Sequence, residues 1–349
     1  MNIPAARRIR VLIVEDSPTV RQLLERILNS DPELQVIGHA TDGDEAVEQV
    51  RQQRPDIVTM DLHMPRMNGI EAVRIIMETA PTPIVVVSGQ LAPADLDQTF
   101  HALTAGALAV VEKPSGLGGD LAFRLVQTVK LMAEVKVVRR WPKRVLPPAS
   151  KPLMPDASRA GLQLVAIGAS TGGPMVLHSI LSGLAGKIDV PIVIVQHIAS
   201  GFTEGFADWL GKTTGMPVSV GRDGEHLQPG HAYIAPDAMN MGITAALTIA
   251  LSSDPPENGH RPSVSYLFRS TAHALGRNAV GVMLSGMGRD GADEMRLMAD
   301  RGGVTIAQDP QTAVVGGMPG EAIKVGGAQY VLTPEKAIKV LLELLCKRR

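Results

Sequence analysis

Short apolar runs of strand length alternate along this chain with stretches whose apolar residues recur every three or four positions. Residues 10–14 (Arg-Val-Leu-Ile-Val) form the first run. Ser17 then caps a predicted helix with Pro18 at its first position and Val20, Leu23, Leu24, Ile27 and Leu28 along one stripe. A second strand is predicted over 34–38, a second helix over 44–53, and further strands over 56–60, 83–87 and 107–111. Strands that alternate with helices predict a parallel sheet covered on both faces, an α/β domain of doubly wound type.

Four of these strands run directly into polar residues: Glu15 and Asp16, Asp61, Ser88, and Glu112 with Lys113. In an open α/β sheet the carboxyl ends of parallel strands share one edge, where ligands bind. Carboxylates from Glu15, Asp16 and Asp61 can converge there on a divalent cation, and hard oxygen ligands suit magnesium. With its charge offset, Asp61 can attack a phosphoryl donor while Ser88 and Lys113 contact the transferred oxygens.

After Ala133 the pattern breaks. Residues 135–155 hold five prolines and six basic residues with no sustained period, which reads as a semi-rigid linker. The alternation resumes at Gly161. A wholly apolar run from Leu164 meets Ser170, and Gly172, Gly173 and Pro174 open a predicted helix carrying Val176, Leu177, Ile180 and Leu181. Gly168-Ala-Ser170-Thr-Gly172 fits the G-x-S-x-G pattern of a nucleophile on a strand-to-helix turn, although a helix N-cap serine fits those letters equally.

Two further apolar runs end in reactive side chains. Residues 191–195 lead into Gln196 and His197, and residues 279–284 lead into Ser285-Gly-Met-Gly-Arg-Asp290-Gly291. Parallel strands would bring Ser170, His197 and Asp290 to one edge: a hydroxyl to attack, an imidazole to take its proton, and a carboxylate to orient the imidazole. Backbone N–H groups of Thr171 and Met287 would hold the oxyanion, a role worth about 3–4 kcal/mol per donor in other enzymes. The chemistry so defined is acyl transfer.

Composition narrows the setting. With 34 Lys+Arg against 35 Asp+Glu, the net charge of −1 leaves no electrostatic footprint for nucleic acid or an anionic membrane surface. The single cysteine, Cys346, excludes a disulfide framework and a cysteine–histidine metal site. No apolar run reaches membrane-span length and residues 1–10 lack a signal core, so the expectation is a soluble cytoplasmic protein that does not insert into membranes. A phosphate-loop reading of residues 205–213 fails, because five residues rather than four separate its glycines and the segment reads as helix.

Two resemblances gather these observations. Val11 to Asp16, Met60-Asp61-Leu-His-Met-Pro-Arg-Met-Asn-Gly69, Val87-Ser88-Gly89 and Glu112-Lys113-Pro114 resemble the receiver domain of bacterial two-component response regulators. That resemblance implies a flavodoxin-like fold over residues 8–134, phosphorylation of Asp61 by a CheA-type histidine kinase, and Mg2+ held by Glu15, Asp16, Asp61 and the His63 backbone carbonyl. Glu15 departs from the family's usual aspartate.

In the second half, Ile167-Gly-Ala-Ser-Thr-Gly-Gly-Pro174, Gln196-His197, Tyr233-Ile-Ala-Pro236, His260-Arg-Pro-Ser263, Leu267-Phe-Arg-Ser270, Gly286-Met-Gly-Arg-Asp-Gly-Ala292 and Gly317-Met-Pro319 resemble the catalytic domain of chemotaxis methylesterases, the CheB family. This implies a Rossmann-like, mostly parallel domain over 161–349 beyond a linker at 135–160. It also implies hydrolysis of glutamyl methyl esters on methyl-accepting chemoreceptors by Ser170, His197 and Asp290, needing no cofactor for the esterase step. Glutamine deamidation and control by the receiver follow from the same resemblance. Arg289 stands where asparagine is common in relatives. Two other classes stay open at this point: a regulator whose second domain only binds a partner, and a hydrolase of small esters or peptides.

Overall fold

The computed structural model describes residues 7–89, 93–135, 137 and 161–345. The chain divides into two compact units, Met1–Pro147 and Pro148–Arg349. Nearly all of the expected linker, and Cys346, lie outside the described residues.

The first unit alternates strictly: β1 (Ile9–Val14), α1 (Pro18–Asn29), β2 (Leu34–Ala40), α2 (Gly43–Gln53), β3 (Ile57–Met60), α3 (Gly69–Thr79), β4 (Ile84–Ser88), α4 (Pro93–Ala105), β5 (Ala109–Glu112) and α5 (Asp120–Ala133). Its five strands lie in the order β2-β1-β3-β4-β5, all parallel. This is the flavodoxin-like order, with its reversal between β1 and β3. As the sequence predicts, the Ser17 hydroxyl caps α1, accepting from the Val20 N–H at 3.5 Å. Strands β4 and β5 each reach one residue further than the apolar run, so that Ser88 and Glu112 still pair across the ladder.

The second unit begins with β6 (Leu164–Ala169), α6 (Gly173–Leu184), β7 (Ile192–Gln196), α7 (Thr203–Thr214), β8 (Val218–Val220) and β9 (Ala232–Ile234). A hairpin of β10 (Asn240–Ile243) and β11 (Ile249–Ser252) follows, then α8 (Val264–Ala274), β12 (Ala279–Met283), α9 (Ala292–Asp300), β13 (Val304–Gln308), α10 (Gly317–Lys324), β14 (Tyr330–Leu332) and α11 (Pro334–Leu345). Seven strands run parallel in the order β14-β13-β12-β6-β7-β9-β8, and β10 pairs with β11 as a separate antiparallel ribbon. The central strands β13, β12, β6 and β7 are buried along their whole length, which is why β12, β6 and the first four residues of β7 read as continuous apolar runs. Met283, Met295, Met298 and Met318 are fully buried, the adaptable core filling expected of a methionine-rich chain.

From β6 the chain passes to β7 on one side, goes on to the edge strand β8 and comes back to β9 between them, and later places β12 on the other side of β6. The crevice at such a reversal is where open α/β sheets bind ligands. Ser170 follows β6 and Asp290 lies beyond β12, so the two border it.

Candidate active site

Ser170 is the first residue after β6, and the turn there is tied on both sides. Its N–H donates to the Ser285 carbonyl at 2.9 Å, and its carbonyl accepts from the Gly173 N–H at 2.8 Å. Gly172 adopts φ +78°, and a Cβ on it would stand 2.8 Å from Ser285 Oγ and 2.5 Å from Val314 Cβ; a side chain fits neither the backbone nor the space. The Ser285 hydroxyl in turn donates to the Thr171 carbonyl at 2.7 Å.

His197 follows β7. The β6–β7 ladder pairs Ala169 with Gln196, and the His197 N–H donates to the Ala169 carbonyl at 3.0 Å, so serine and histidine leave adjacent strands at one edge. His197 Nε2 lies 3.0 Å from Asp290 Oδ2. Its other ring nitrogen, Nδ1, is buried with no hydrogen-bond partner, and among the described residues Ser170 Oγ makes no hydrogen bond to the ring. The ring of His260 lies flat on that of His197, with centroids 3.8 Å apart and planes 7° apart.

Asp290 is 1% exposed and fully engaged. Oδ1 accepts from Ser263 Oγ at 2.8 Å, the Ser265 N–H at 3.1 Å and Asn258 Nδ2 at 3.1 Å; Oδ2 accepts from the Val264 N–H at 2.7 Å besides His197. Two of these donors belong to the first turn of α8, whose free N–H groups and dipole favour an anion. Burial by itself would raise the carboxyl's pKa. The bonds and charge from His197, with those from Asn258 and Val264, outweigh it and hold the group well below the usual carboxylate range.

The loop from Ser285 to Asp290 passes beside the serine. A Cβ on Gly286 would stand 2.8 Å from the Ser170 Cβ, so the backbone of this loop packs directly on the serine side chain. The Gly286 N–H donates to the Val315 carbonyl at 3.0 Å, fixing the loop, whereas the Met287 side chain is 47% exposed. Among the described residues the Thr171 and Met287 N–H groups have no hydrogen-bond partner. They are the two donors expected to hold an oxyanion.

Sequence reasoning missed several supporting groups: Asn258 and Ser263 on Asp290, Asn240, whose Oδ1 accepts from the Ser263 N–H at 3.1 Å, and the stacked His260. Asn240 opens the short strand β10, and Asn258, His260 and Ser263 lie in the irregular chain between β11 and α8, where no periodicity marks a side chain's direction. Arg269 and Arg261 are occupied internally, by Glu257 and Glu294 and by the carbonyls of Ser253 and Asp254. His178 packs against Trp209, ring centroids 5.2 Å apart, and burial pushes its pKa down.

The first unit carries a separate site at its own strand reversal. Glu15, Asp16 and Asp61 bring carboxylate oxygens within 4.8 Å of one another; Glu15 and Asp61 are buried and Asp16 is exposed. Lys113 Nζ stands 2.7 Å from Asp61 Oδ2 and 2.9 Å from Glu15 Oε2. Asp61 Oδ1 accepts from the N–H groups of Leu62 at 2.7 Å and His63 at 3.4 Å. Ser88 closes β4, and its carbonyl accepts from the Lys113 N–H at 2.8 Å. Burial raises the Glu15 carboxyl pKa; the bond from Lys113 opposes the rise and the nearby Asp61 charge adds to it. Burial acts to lower the Lys113 pKa, but its bonds to both carboxylates raise it overall.

An acidic receiver-type crevice and a Ser/His/Asp edge on a parallel sheet together define a two-domain response regulator with a hydrolase-like output half. The chain belongs to the CheB methylesterase family, whose profile matches residues 165–341, while that of the response regulator receiver domain matches residues 11–119. It is 52% identical over 345 residues to a protein-glutamate methylesterase/protein-glutamine glutaminase of Syntrophus aciditrophicus, covering 96% of this chain and 98% of that one. It is 50% identical over 349 residues to the protein of the same name from Nitrosospira multiformis, at 97% and 98% coverage. The crystal structure of the Thermotoga maritima CheB methylesterase catalytic domain matches 52% of this chain and 98% of its own length, with 37% identity and a TM-score of 0.51. Among the described residues no helix is long and apolar enough to cross a membrane.

Proposed function

We propose that this chain is a phosphorylation-regulated protein-glutamate methylesterase that hydrolyses glutamyl methyl esters on methyl-accepting chemoreceptors and deamidates receptor glutamines. The observation that carries this reading is the 3.0 Å contact of His197 Nε2 with Asp290 Oδ2, at the end of the strand paired with the one that runs into Ser170. Nε2 is committed to the carboxylate, so Nδ1 is the nitrogen left to act as base.

Ser170 Oγ attacks the ester carbonyl carbon as its proton passes to His197 Nδ1, and Asp290 balances the imidazolium charge. The Thr171 and Met287 N–H groups receive the developing oxyanion. As the tetrahedral centre collapses, the carbon–methoxy bond breaks and His197 returns the proton to the leaving oxygen, releasing methanol. Water, activated by the same imidazole, then cleaves the acyl-enzyme and restores glutamate and the serine hydroxyl. With glutamine the leaving group is ammonia, which demands more of His197 as an acid. The exposed Met287 side chain suits an open edge that accepts a helix of a receptor.

In the receiver, assigned to residues 8–134 ahead of a linker at 135–160 and the esterase at 161–349, Asp61 accepts a phosphoryl group from a CheA-type histidine kinase. The donor set fits Mg2+: its oxygens are hard, and one carboxylate oxygen each from Glu15, Asp16 and Asp61 lie within 4.8 Å of one another. Glu15, Asp16, Asp61 and the His63 backbone carbonyl would hold the ion, which would offset charge on the transferred oxygens. Lys113 and Ser88 then contact the phosphoryl group. The receiver inhibits the esterase until Asp61 is phosphorylated, a coupling of about 1–3 kcal/mol. Action on the cytoplasmic helices of receptors places the enzyme in the cytoplasm.

Mass spectrometry of receptor helices before and after incubation tests the reaction. Methylated glutamates and glutamines should both become glutamate; receptor masses left unchanged by the phosphorylated protein would overturn it.

A further inference from the structure

We infer that Gln196 is a positioning residue for this reaction: its side-chain amide clamps together the main chains of the nucleophile and the base. The inference rests on the assignment of Ser170 and His197 above. Gln196 is the last residue of β7 and is 3% exposed. Its Nε2 donates to the carbonyl of Ser170 at 2.8 Å and to the carbonyl of His197 at 2.8 Å. Both amide protons are therefore spent on the two residues that must exchange a proton during catalysis.

The need for such a clamp follows from where the ladder stops. The last β6–β7 bond runs from the His197 N–H to the Ala169 carbonyl, and the Ser170 N–H turns the other way, to Ser285. Past that point the sheet no longer fixes the spacing of the two chains, and the Gln196 amide spans the gap. Its orientation has no alternative, since turning it over would set Oε1 against two carbonyl oxygens. The arrangement also has a cost: Oε1 is buried without a hydrogen-bond partner. A side chain kept for packing alone would be an apolar one of similar length, which carries no such orphan acceptor. The helix start is shaped around it, because a Cβ on Gly173 would collide with Gln196 Oε1.

Gln196→Met keeps the length and removes both donors, and Gln196→Glu puts an acceptor where two donors stood. In the full chain acting on methylated receptors, Gln196→Met should lower kcat by about 10- to 100-fold, the scale of a small misalignment of reacting groups, with KM within about twofold of wild type. Gln196→Glu should be slower still. Calorimetry on the same samples supplies the folded fraction, and a kcat per folded molecule equal to wild type in Gln196→Met would overturn the inference.

A second readout needs no turnover: solvent exchange of the His197 Nε2 proton, followed by NMR, should be faster in Gln196→Met than in wild type. Equal exchange rates would overturn the positioning role. If wild type releases no methanol, the esterase reading falls, and the exchange measurement still decides whether Gln196 holds the histidine.

Discussion

Nε2 of His197 lies 3.0 Å from Oδ2 of Asp290, and the same carboxylate takes the first two N–H groups of α8. One side chain thus orients the base and anchors a helix, so its removal is expected to show in two separate measurements. Asp290→Asn should lower kcat by about 10³- to 10⁴-fold, the scale seen when the orienting carboxylate of a serine–histidine pair is neutralised. Asp290→Ala should also destabilise the second domain by about 3–5 kcal/mol in chemical denaturation, because it leaves buried donors on Ser263, Val264 and Ser265 unpaired.

The pH dependence follows from the depressed pKa of Asp290. A carboxyl whose folded pKa lies below its unfolded value stabilises the fold fully above the unfolded value of about 4, and that stability is lost as pH falls toward the folded pKa. Denaturation midpoints of wild type should therefore fall below about pH 4 more steeply than those of Asp290→Asn. Because Asp290 stays ionised above that range, any acid limb of kcat/KM at higher pH belongs to another group, and Asp290→Asn should lower the plateau without shifting the limb by a carboxyl titration.

His260 covers one face of the catalytic imidazole at 3.8 Å. A flat ring stacked there restricts His197 to one plane and offers a π face to the imidazolium that forms during attack. The expected loss in His260→Ala is about 2- to 10-fold in kcat, from about 0.5–1.5 kcal/mol of stacking. His260→Phe should retain most of the activity. Steady-state kinetics of both variants check this; a phenylalanine variant as slow as the alanine one would show that the nitrogens of His260, and not its ring face, are what matter.

In the receiver, Lys113 bridges Glu15 and Asp61 at 2.9 and 2.7 Å. Asp61→Asn should abolish incorporation of phosphate from a labelled small-molecule phosphodonor, and a chelator added to wild type should do the same. Stimulation of the esterase by phosphodonor should vanish in Asp61→Asn while its basal rate persists. Equal stimulation of wild type and Asp61→Asn would remove Asp61 from the regulation.

The parts legible in the sequence are those where a physical pattern spans many residues. Five apolar runs with intervening helical stripes yield the receiver sheet, and its order β2-β1-β3-β4-β5 is the doubly wound arrangement they imply. In the second half the buried strands β6, β7 and β12 are equally plain, and the residues that end them are the ones chemistry singles out. Strands β8 and β9, with three residues each, are too short for any alternation to register.

The sequence also expects the Ser170 hydroxyl to lie against the imidazole. In the structure His197 bonds Asp290, but its Nδ1 remains without a partner. The surroundings of Asp290 are out of reach for a different reason: Asn258, Ser263 and the start of α8 meet it from 25 to 32 residues away in sequence, and Asn258 and Ser263 lie in the irregular stretch between β11 and α8, where nothing periodic says which way a side chain turns.

Release of labelled methanol from receptor membranes carrying radioactive methyl esters, with wild type beside Ser170→Ala, tests the central claim most directly. Wild type should release the label and Ser170→Ala should release none above background while unfolding at the same temperature. Methanol release by Ser170→Ala at the wild-type rate would contradict the account.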